Sequence, residues 1–375
     1  MKTDHRIVTG DSRSLSEVDT NSVELVVTSP PYPMIEMWDG LFGDLNSTVR
    51  DCLDHGEGQR AFSLMHEELD RVWDEVSRVL VDGGIACINI GDATRKIDGS
   101  FRVFQNHSRT IEAFVDLGFD PLPEILWRKP TNSGAKFMGS GMLPPNAYVT
   151  LEHEYILVFR NGGGRREFES NSETRYTSSY FWEERNQWFS DVWMEVKGEF
   201  QSLDDSELRD RSAAYPFEIP YRLINMFSLY GDTVLDPFWG TGTTSLAAVV
   251  AGRNSIGYEL DDDFIELFES RIADVEDFSD QTVCHRLSDH RDFVEQRVAD
   301  GTEFEYESDH YGFPVTTKQE EPILFYSVVD VCQSGTTYEV SHEPISGDEF
   351  DIDSLRPNGK IASLSDFFED EVYQD

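Results

Sequence analysis

Short apolar runs alternate with longer stretches of helical spacing through most of the chain. The runs Glu24 to Thr28, Ile85 to Ile90 and Thr233 to Leu235 are short, apolar and bounded by turn residues, which predicts buried strands. Leu64 to Leu80 and Ser108 to Leu117 carry apolar residues at helical spacing and stop before glycines, which predicts helices. Such βα alternation predicts an α/β fold with a doubly wound, mostly parallel sheet.

Two regions depart from this alternation. Residues 161–211 are polar and turn-rich, with interleaved arginines and aromatics, which suggests an insert that recognises a ligand. Residues 275–375 are acidic and show only possible strands at Ile323 to Val331 and Thr337 to Val340. We therefore expect two halves of one domain, 1–160 and 212–274, separated by the insert and followed by an extension of unknown role. The arginines and aromatics of the insert are Arg165, Arg166, Arg175, Arg185, Tyr176, Tyr180, Phe181, Trp182, Trp188 and Trp193.

The charge of the chain changes the choice of partners. With 72 acidic and 31 basic side chains, its net charge is -41, spread along all 375 residues. Charge alone favours a protein that avoids nucleic acid. Halophilic adaptation is the alternative, because molar salt shortens the screening length to about 3 Å and so weakens repulsion from DNA. The motifs must decide between these interpretations.

Cysteine usage and hydropathy indicate the compartment. Cys52, Cys87, Cys284 and Cys332 are far apart and form no Cys-x-x-Cys pair, so neither a zinc site nor a disulfide framework is indicated. The N-terminus reaches a strand-like run by Ile7 without an apolar signal region, and no apolar span of membrane length follows. We expect a soluble, cytoplasmic protein without a membrane partner.

The first motif with chemistry is Ser29-Pro30-Pro31-Tyr32, directly after an apolar strand. Open α/β sheets bind ligands at the carboxyl ends of strands, and two prolines fix the direction of the turn. The Ser29 hydroxyl and the Pro30 carbonyl could accept hydrogen bonds from an amino group, and Tyr32 could stack on a base rotated out of a duplex. The alternative is a purely structural proline-rich turn.

The second motif is the glycine-rich turn Asp236 to Thr244, between a short strand and a predicted helix from Ser245 to Ala251. Gly240 and Gly242 would let the backbone approach a ligand, and Asp236 could accept a hydrogen bond from a ligand ammonium group. The turn lacks the spacing of a dinucleotide loop and the Gly-Lys-Ser/Thr ending of a phosphate loop. One strand later, Glu259 either binds ribose hydroxyls or is one more surface carboxylate.

Together these motifs resemble the amino-methyltransferases of restriction-modification systems, specifically the permuted beta class in which the catalytic motif precedes the cofactor motif. The resemblance covers residues 6 to 273 and implies a Rossmann-like fold that uses S-adenosylmethionine. It assigns Ser29, Pro30, Pro31 and Tyr32 to catalysis. It assigns cofactor binding to Asp11, Asp236, Pro237, Phe238, Gly240, Gly242, Thr243 and Glu259. In a permuted chain the segment that would follow Glu259 is found at the N-terminus. There Asp11 follows the strand Ile7 to Thr9, at the position where the family contacts the cofactor adenine.

Further segments match the same family. They are Gly83-Gly84, Trp127 to Pro130, Glu152 to Tyr155 and Tyr215-Pro216. The segment Ala213 to Ile219 departs from the family's usual His-Pro start. Glu152-His153-Glu154 could suggest a metal site, but alternation on a strand would place the His on the opposite face from the two Glu, so we expect no metal.

The resemblance also implies a substrate. A serine at the position of Ser29 resembles the motif of cytosine-N4 enzymes, whereas adenine-N6 enzymes commonly carry Asp or Asn there. We therefore expect N4 methylation of cytosine in double-stranded DNA. The insert at 161–211 resembles a target-recognition segment. An adenine-N6 enzyme, an RNA methyltransferase and a non-catalytic DNA-binding protein remain alternatives. The acidic, stand-alone chain resembles CTAG-modifying methylases of halophilic archaea, and any restriction endonuclease would be a separate protein. The sequence leaves the oligomeric state open.

Overall fold

A computed structural model describes residues 1–129, 138–196 and 215–345. Pro130, Ala213, residues 197–211 of the predicted insert and residues 346–375 of the extension lie outside these ranges. The helices of the described residues are α1 (Asp39–Leu45), α2 (Ser47–Asp54), α3 (Gly58–Val79), α4 (Asn106–Asp116), α5 (Glu173–Thr177), α6 (Trp182–Trp188), α7 (Glu218–Phe227), α8 (Thr243–Val250), α9 (Asp263–Ile272) and α10 (Val275–Ala299).

The strands number seventeen in the same ranges. They are β1 (Lys2–Thr9), β2 (Val23–Thr28), β3 (Leu80–Ile90), β4 (Ala93–Ile97), β5 (Ser100–Phe104), β6 (Asp120–Pro121), β7 (Ile125–Arg128), β8 (Met138–Gly139), β9 (Ala147–Tyr148), β10 (His153–Arg160), β11 (Val192–Trp193), β12 (Thr233–Asp236), β13 (Asn254–Glu259), β14 (Tyr306–Glu307), β15 (Pro314–Val315), β16 (Tyr326–Ser334) and β17 (Thr337–Pro344).

One large sheet organises the fold, in the order β11-β7-β10-β3-β2-β12-β13-β1-β17-β16. The five central strands, from β3 to β1, run parallel, and antiparallel strands flank them on both sides. Strand β1 lies beside β13 with Thr9 opposite Glu259, so the N-terminal strand pairs with the last strand of the half at 212–274. The predicted doubly wound fold is confirmed, and the N-terminal strand lies next to the strand that ends at Glu259, as the permuted order predicts.

Alternate side chains of the central strands pack into two hydrophobic cores, one on each face of the sheet. Leu25 and Val27 face a core formed with α7, α8 and α9, while Val26 faces a core formed with α1, α2, α3 and α4. Both faces of these strands are covered, which explains why they are continuously apolar. Helix α3 begins at Gly58, six residues before the predicted start at Leu64. The added turns continue the apolar face of the helix, which is buried along its whole length.

The described part of the insert begins at the amino ends of the central strands, because β10 runs antiparallel to β3 and ends there. The Arg166 guanidinium pairs with Asp232, which immediately precedes β12, at 2.6 Å. Three of its aromatics, Phe181, Trp188 and Trp193, are buried. Strand β11 then runs parallel to β7 along the edge of the sheet and returns the chain toward the other end.

The acidic extension is joined to the same sheet. Strand β17 pairs antiparallel with β1, and β16 continues the sheet beyond it. The predicted strand Ile323 to Val331 begins only at Tyr326, because Ile323 and Phe325 instead pack with Phe181 in a third core. Arg286 of α10 makes a buried ion pair with Glu184 of the insert. The insert and the extension therefore share a core.

Candidate active site

The predicted motifs meet at one edge of the sheet. A cavity of about 830 Å³ opens at the carboxyl ends of β1, β2, β12 and β13, a volume suited to a small organic ligand. Eleven of the twelve predicted site residues line it, so the structure brings them to one place. They are Asp11, Ser29, Pro30, Pro31, Tyr32, Asp236, Pro237, Phe238, Gly240, Thr243 and Glu259.

Gly242 is the predicted site residue that does not line the cavity. It precedes α8 with a φ of +77°, and a Cβ there would lie 2.4 Å from the Phe268 ring and 2.7 Å from Trp239. Gly240 has a φ of +53°, and a Cβ there would make only an ordinary contact, 3.9 Å from the Phe238 carbonyl oxygen. The left-handed backbone of the turn and the close packing beneath it therefore both require glycine at position 242.

Asp236 is a buried carboxylate with only neutral partners among the described residues. It accepts hydrogen bonds of 2.5 Å from the hydroxyls of Thr28 and Thr244 and one of 3.1 Å from the Phe238 amide. Burial raises its pKa to about 6 in spite of these bonds. A buried acid on a cavity wall without a cationic partner is suited to a cationic group of a ligand.

Tyr215 extends this cluster along the cavity wall. Its hydroxyl lies 2.5 Å from the Thr244 hydroxyl, which in turn donates to Asp236. Burial, and then the nearby Asp236 carboxylate, raise the pKa of Tyr215 well above its usual value, so the phenol stays neutral. The segment that departs from the family pattern thus still supplies a residue to the cavity wall.

Glu259 ends β13 and organises the turn beside it. One carboxylate oxygen accepts a 2.8 Å hydrogen bond from the Gly240 amide, and the other accepts from the amides of Leu260 and Asp261. Burial raises its pKa. Three backbone donors leave part of the carboxylate's accepting capacity available, which permits a hydroxyl ligand.

Asp11 is held by a basic residue that the sequence did not point to. Arg13 forms a two-pronged contact with Asp11 and also contacts the buried Glu68 at 2.6 Å. Partial burial of Asp11 acts against its ionisation, but the hydrogen bonds from Arg13 outweigh it and lower its pKa. Asp11 is therefore ionised and fixed at the cavity wall.

A hydrogen-bonded chain fixes the Ser-Pro-Pro-Tyr motif. The Tyr32 hydroxyl donates to the Glu154 carboxylate at 2.9 Å and lies 3.1 Å from the Ser29 hydroxyl. Burial, and then Glu154, raise the pKa of Tyr32 well above its usual value, so the phenol keeps its proton. Since that single proton goes to Glu154, the Tyr32 oxygen accepts from Ser29. The Asn89 amide lies 3.5 Å from the Ser29 oxygen as a donor, and the remaining lone pair of Ser29 stays available at the cavity.

Sequence reasoning missed two residues that donate hydrogen bonds to the Ser29–Tyr32–Glu154 chain. Asn89 donates to the Tyr32 hydroxyl and to Glu154, each at 2.8 Å, and Lys129 donates to Glu154 at 2.9 Å. The available signal for Asn89 was a polar residue inside the apolar run Ile85 to Ile90. Glu154 and Lys129 stood in recognised family segments without an assigned role.

The structure also clarifies the acidic pair around His153. Glu154 is the first carboxylate of β10 and contacts the Tyr32 hydroxyl, whereas Glu152 precedes the strand and contacts Arg128 at 3.4 Å. Within 1–129, 138–196 and 215–345, no group of three or more His, Cys, Asp or Glu side chains could hold a metal ion. No helix of these ranges is both long and apolar enough to cross a membrane.

Comparison with known proteins agrees with this geometry. The model of the N6/N4 DNA methylase family matches residues 23–270. The chain is 52% identical over 354 residues to the Type II methyltransferase M.MthZI of Methanothermobacter thermautotrophicus, covering 94% of this chain and 95% of that protein. It is 53% identical over 282 residues to the Type II methyltransferase M.MjaI of Methanocaldococcus jannaschii, covering 72% and 92%.

A solved structure gives the same result for the fold and the cofactor. The DNA modification methylase TTHA0409 of Thermus thermophilus, solved in complex with S-adenosyl-L-methionine, matches with a TM-score of 0.56 and 34% identity. The match covers 72% of this chain and 95% of that one. With the cavity, its buried acid and the family match taken together, the chain belongs to the N6/N4 family of S-adenosylmethionine-dependent DNA methyltransferases.

Proposed function

We propose that this enzyme transfers a methyl group from S-adenosylmethionine to the N4 amino group of cytosine in duplex DNA, at a specific sequence. The observation that supports this most directly is the hydroxyl chain from Ser29 through Tyr32 to Glu154, which leaves Ser29 as an acceptor at the cavity. An exocyclic amine is a weak nucleophile because its lone pair is conjugated with the ring. Accepting its N–H hydrogens helps to localise that lone pair.

The base end of the cavity holds and orients the amine. The Ser29 hydroxyl oxygen and the Pro30 carbonyl accept its two hydrogens, and the anchored Tyr32 ring stacks on a base that has left the duplex. The amine nitrogen forms the new bond to carbon, and its proton leaves afterwards to water. No general base is therefore needed before attack.

The cofactor end of the cavity supplies complementary groups. When bound, S-adenosylmethionine supplies the methyl group that is transferred, and the electron pair of the broken sulfur–methyl bond stays on sulfur in the product S-adenosylhomocysteine. Asp236 would bind its ammonium group, Glu259 its ribose hydroxyls, and Asp11 its adenine. Pro237, Phe238, Gly240 and Thr243 would line its site as parts of the turn between β12 and α8.

Three finer points complete the proposal. The two Type II relatives suggest that the chain belongs to a restriction-modification system, with any endonuclease on a separate protein. The net charge of -41 suggests work in concentrated salt, where phosphate contacts contribute less to affinity. CTAG is the proposed target, on the resemblance to CTAG-modifying methylases alone.

The test is mass spectrometry of nucleosides from duplex DNA incubated with the purified chain and isotopically labelled S-adenosylmethionine in molar KCl. Labelled N4-methylcytosine supports the proposal, and a duplex lacking CTAG serves as the control for the target. Labelled N6-methyladenine would keep the reaction class and overturn the base assignment. If neither base carries the label although the protein preparation binds the cofactor, the result would favour an RNA substrate or a non-catalytic DNA-binding protein.

A further inference from the structure

Two segments at the catalytic edge of the sheet form one exposed patch. The β4–β5 hairpin follows β3 directly, where the chain leaves the carboxyl end of that strand. The loop at 138–150 lies between the end of β7 and the start of β10, at the same edge. The Phe101 ring of the hairpin stacks on the Tyr148 ring of the loop, with centroids 4.9 Å apart, and so joins the two segments. We call this surface the hairpin–loop patch.

The patch is unusually apolar for an exposed surface. Met142, Leu143 and Val149 are 84%, 70% and 86% exposed, and they share the loop with the half-exposed Tyr148. On the hairpin, Phe101 and Val103 are also exposed and lie on one face of the two strands, together with Thr94 and Lys96. Exposed apolar side chains gathered on two segments that are joined in this way indicate an interaction surface.

The charge of the patch is opposite to that of the protein. Residues 93–104 and 138–150 contain three basic side chains and one acidic side chain, in a chain with 72 acids and 31 bases. Two further basic residues, Arg128 and Lys129, lie at the end of β7. Arg95, Arg128 and Lys129 are paired with carboxylates, whereas Lys96 and Arg102 are exposed and form no ion pair within the described ranges.

Lys96 shares the hairpin face that carries Phe101 and Val103, whereas Arg102 lies opposite Arg95 on the other face. A hairpin with an unpaired cation on each face and exposed apolar side chains suits a polyanion that also presents apolar surface, as DNA does with its bases and sugars.

We infer that the hairpin–loop patch is the surface that docks duplex DNA against the active site, with Lys96 and Arg102 contacting phosphates and Met142 and Leu143 contacting bases or sugars. The inference rests on the proposed function, since it takes duplex DNA as the substrate. It adds a recognition surface outside the insert at 161–211, whose arginines Arg165 and Arg166 lie by the opposite edge of the sheet.

Position supports this occupant over a second protein. Gly91 at the root of the hairpin lies against the Tyr32 ring, 3.0 Å from where its Cβ would be. Lys129 at the root of the loop contacts Glu154, which holds the Tyr32 hydroxyl. A duplex that delivers a base to Ser29 and Tyr32 must pass beside these roots, so the patch lies where flanking DNA would run.

The test measures the binding of a fluorescent DNA duplex to the full chain by anisotropy across a series of KCl concentrations. S-adenosylhomocysteine, the product of the cofactor, is present at saturation. Replacing Lys96→Gln and Arg102→Gln together should lower the slope of log Kd against log salt by about 2, since each phosphate contact contributes about 0.9. Replacing Met142→Ser and Leu143→Ser together should raise Kd about tenfold and leave that slope unchanged. Arg297→Gln with Lys318→Gln, and Val298→Ser with Val329→Ser, are the matched controls, because these side chains are also exposed.

The outcomes separate the surface from the function. Wild-type binding and methyl transfer on the same duplex establish the function independently of the variants. If the wild type does so and both patch variants keep its Kd and its salt slope, the patch is not the docking surface. If the variants instead change the sedimentation coefficient of the free protein while DNA affinity is kept, the patch joins copies of this chain and the inference is overturned. If the wild type binds no duplex, both proposals fall together.

Discussion

Each end of the active-site cavity depends on one carboxylate, and the two carboxylates are compensated differently. Asp236 is buried in the cavity wall, whereas Glu154 lies behind Tyr32 with its side chain 13% exposed. At the base end, Glu154 has Lys129 as a cationic partner and two neutral donors, Tyr32 and Asn89. At the cofactor end, Asp236 has two threonine hydroxyls and one amide, and its pKa is raised to about 6. An acid that the protein neutralises serves to hold other side chains, whereas an acid that it leaves without a cation is arranged for a charged ligand.

The largest effect should follow from removing the charge at the cofactor end. Asp236→Asn should weaken S-adenosylmethionine binding about 100-fold, because a charge-assisted bond to the ammonium group is lost inside a buried site. Isothermal titration calorimetry measures this directly. Glu154→Gln makes the same chemical change at the base end and should leave cofactor affinity within about twofold of wild type. Equal losses in the two variants would remove the distinction between the ends.

The reverse pattern should follow from changing the base end. Ser29→Ala should lower kcat about 30-fold while cofactor affinity is kept, since it removes an acceptor that acts on the amine during transfer. Single-turnover transfer of labelled methyl groups to duplex DNA measures the rate. Ser12→Ala, another serine of the cavity wall without an assigned role, is the control and should retain the wild-type rate. Unchanged transfer by Ser29→Ala would refute its role as the acceptor.

Cofactor affinity should depend on pH through Asp236. A bound cation favours the ionised carboxylate, so binding must displace the proton that the free protein holds below pH 6. The affinity is therefore lowest in acid and should rise about tenfold between about pH 5 and pH 7, while a ligand α-amino group of pKa about 7.8 remains charged. Titrations at several pH values check this, with Asp236→Asn as the flat control. A wild-type profile as flat as that of the variant would contradict it.

The smallest effect should come from the support of the hydroxyl chain. Tyr32→Phe keeps the ring for stacking but removes the acceptor of the Ser29 proton, so kcat should fall severalfold, in the range of a neutral hydrogen bond of about 1 kcal/mol. Tyr32→Ala should in addition weaken retention of the extruded base. Fluorescence of 2-aminopurine at the target position distinguishes the two, since only the alanine variant should lose the signal of the flipped base. Equal loss of that signal in both variants would show that the hydroxyl, not the ring, retains the base.

Sequence patterns predicted the parts of the site that follow from chain order alone. Ser29 and Asp236 follow apolar runs, and the carboxyl ends of parallel strands share an edge, so their meeting was predictable. The support of Tyr32 was not, because it joins Asn89 and Glu154, 65 residues apart, through an antiparallel pairing of β3 with β10. That same reversal of direction carries Arg165 and Arg166 to the opposite edge, where composition could not place them. The orientation of Gly242 away from the cavity depends on Phe268, one helix later.

The contrast between Asp236 and Glu154 is tested most directly by counting the protons released when S-adenosylmethionine binds. Calorimetry at pH 6 in buffers of different ionisation enthalpy gives this number without reference to affinity. The wild type and Glu154→Gln should each release about half a proton, because Asp236 is about half protonated at that pH, and Asp236→Asn should release none. Release that persists in Asp236→Asn, or that disappears in Glu154→Gln, would contradict the assignment of Asp236 as the charge that the protein reserves for its cofactor.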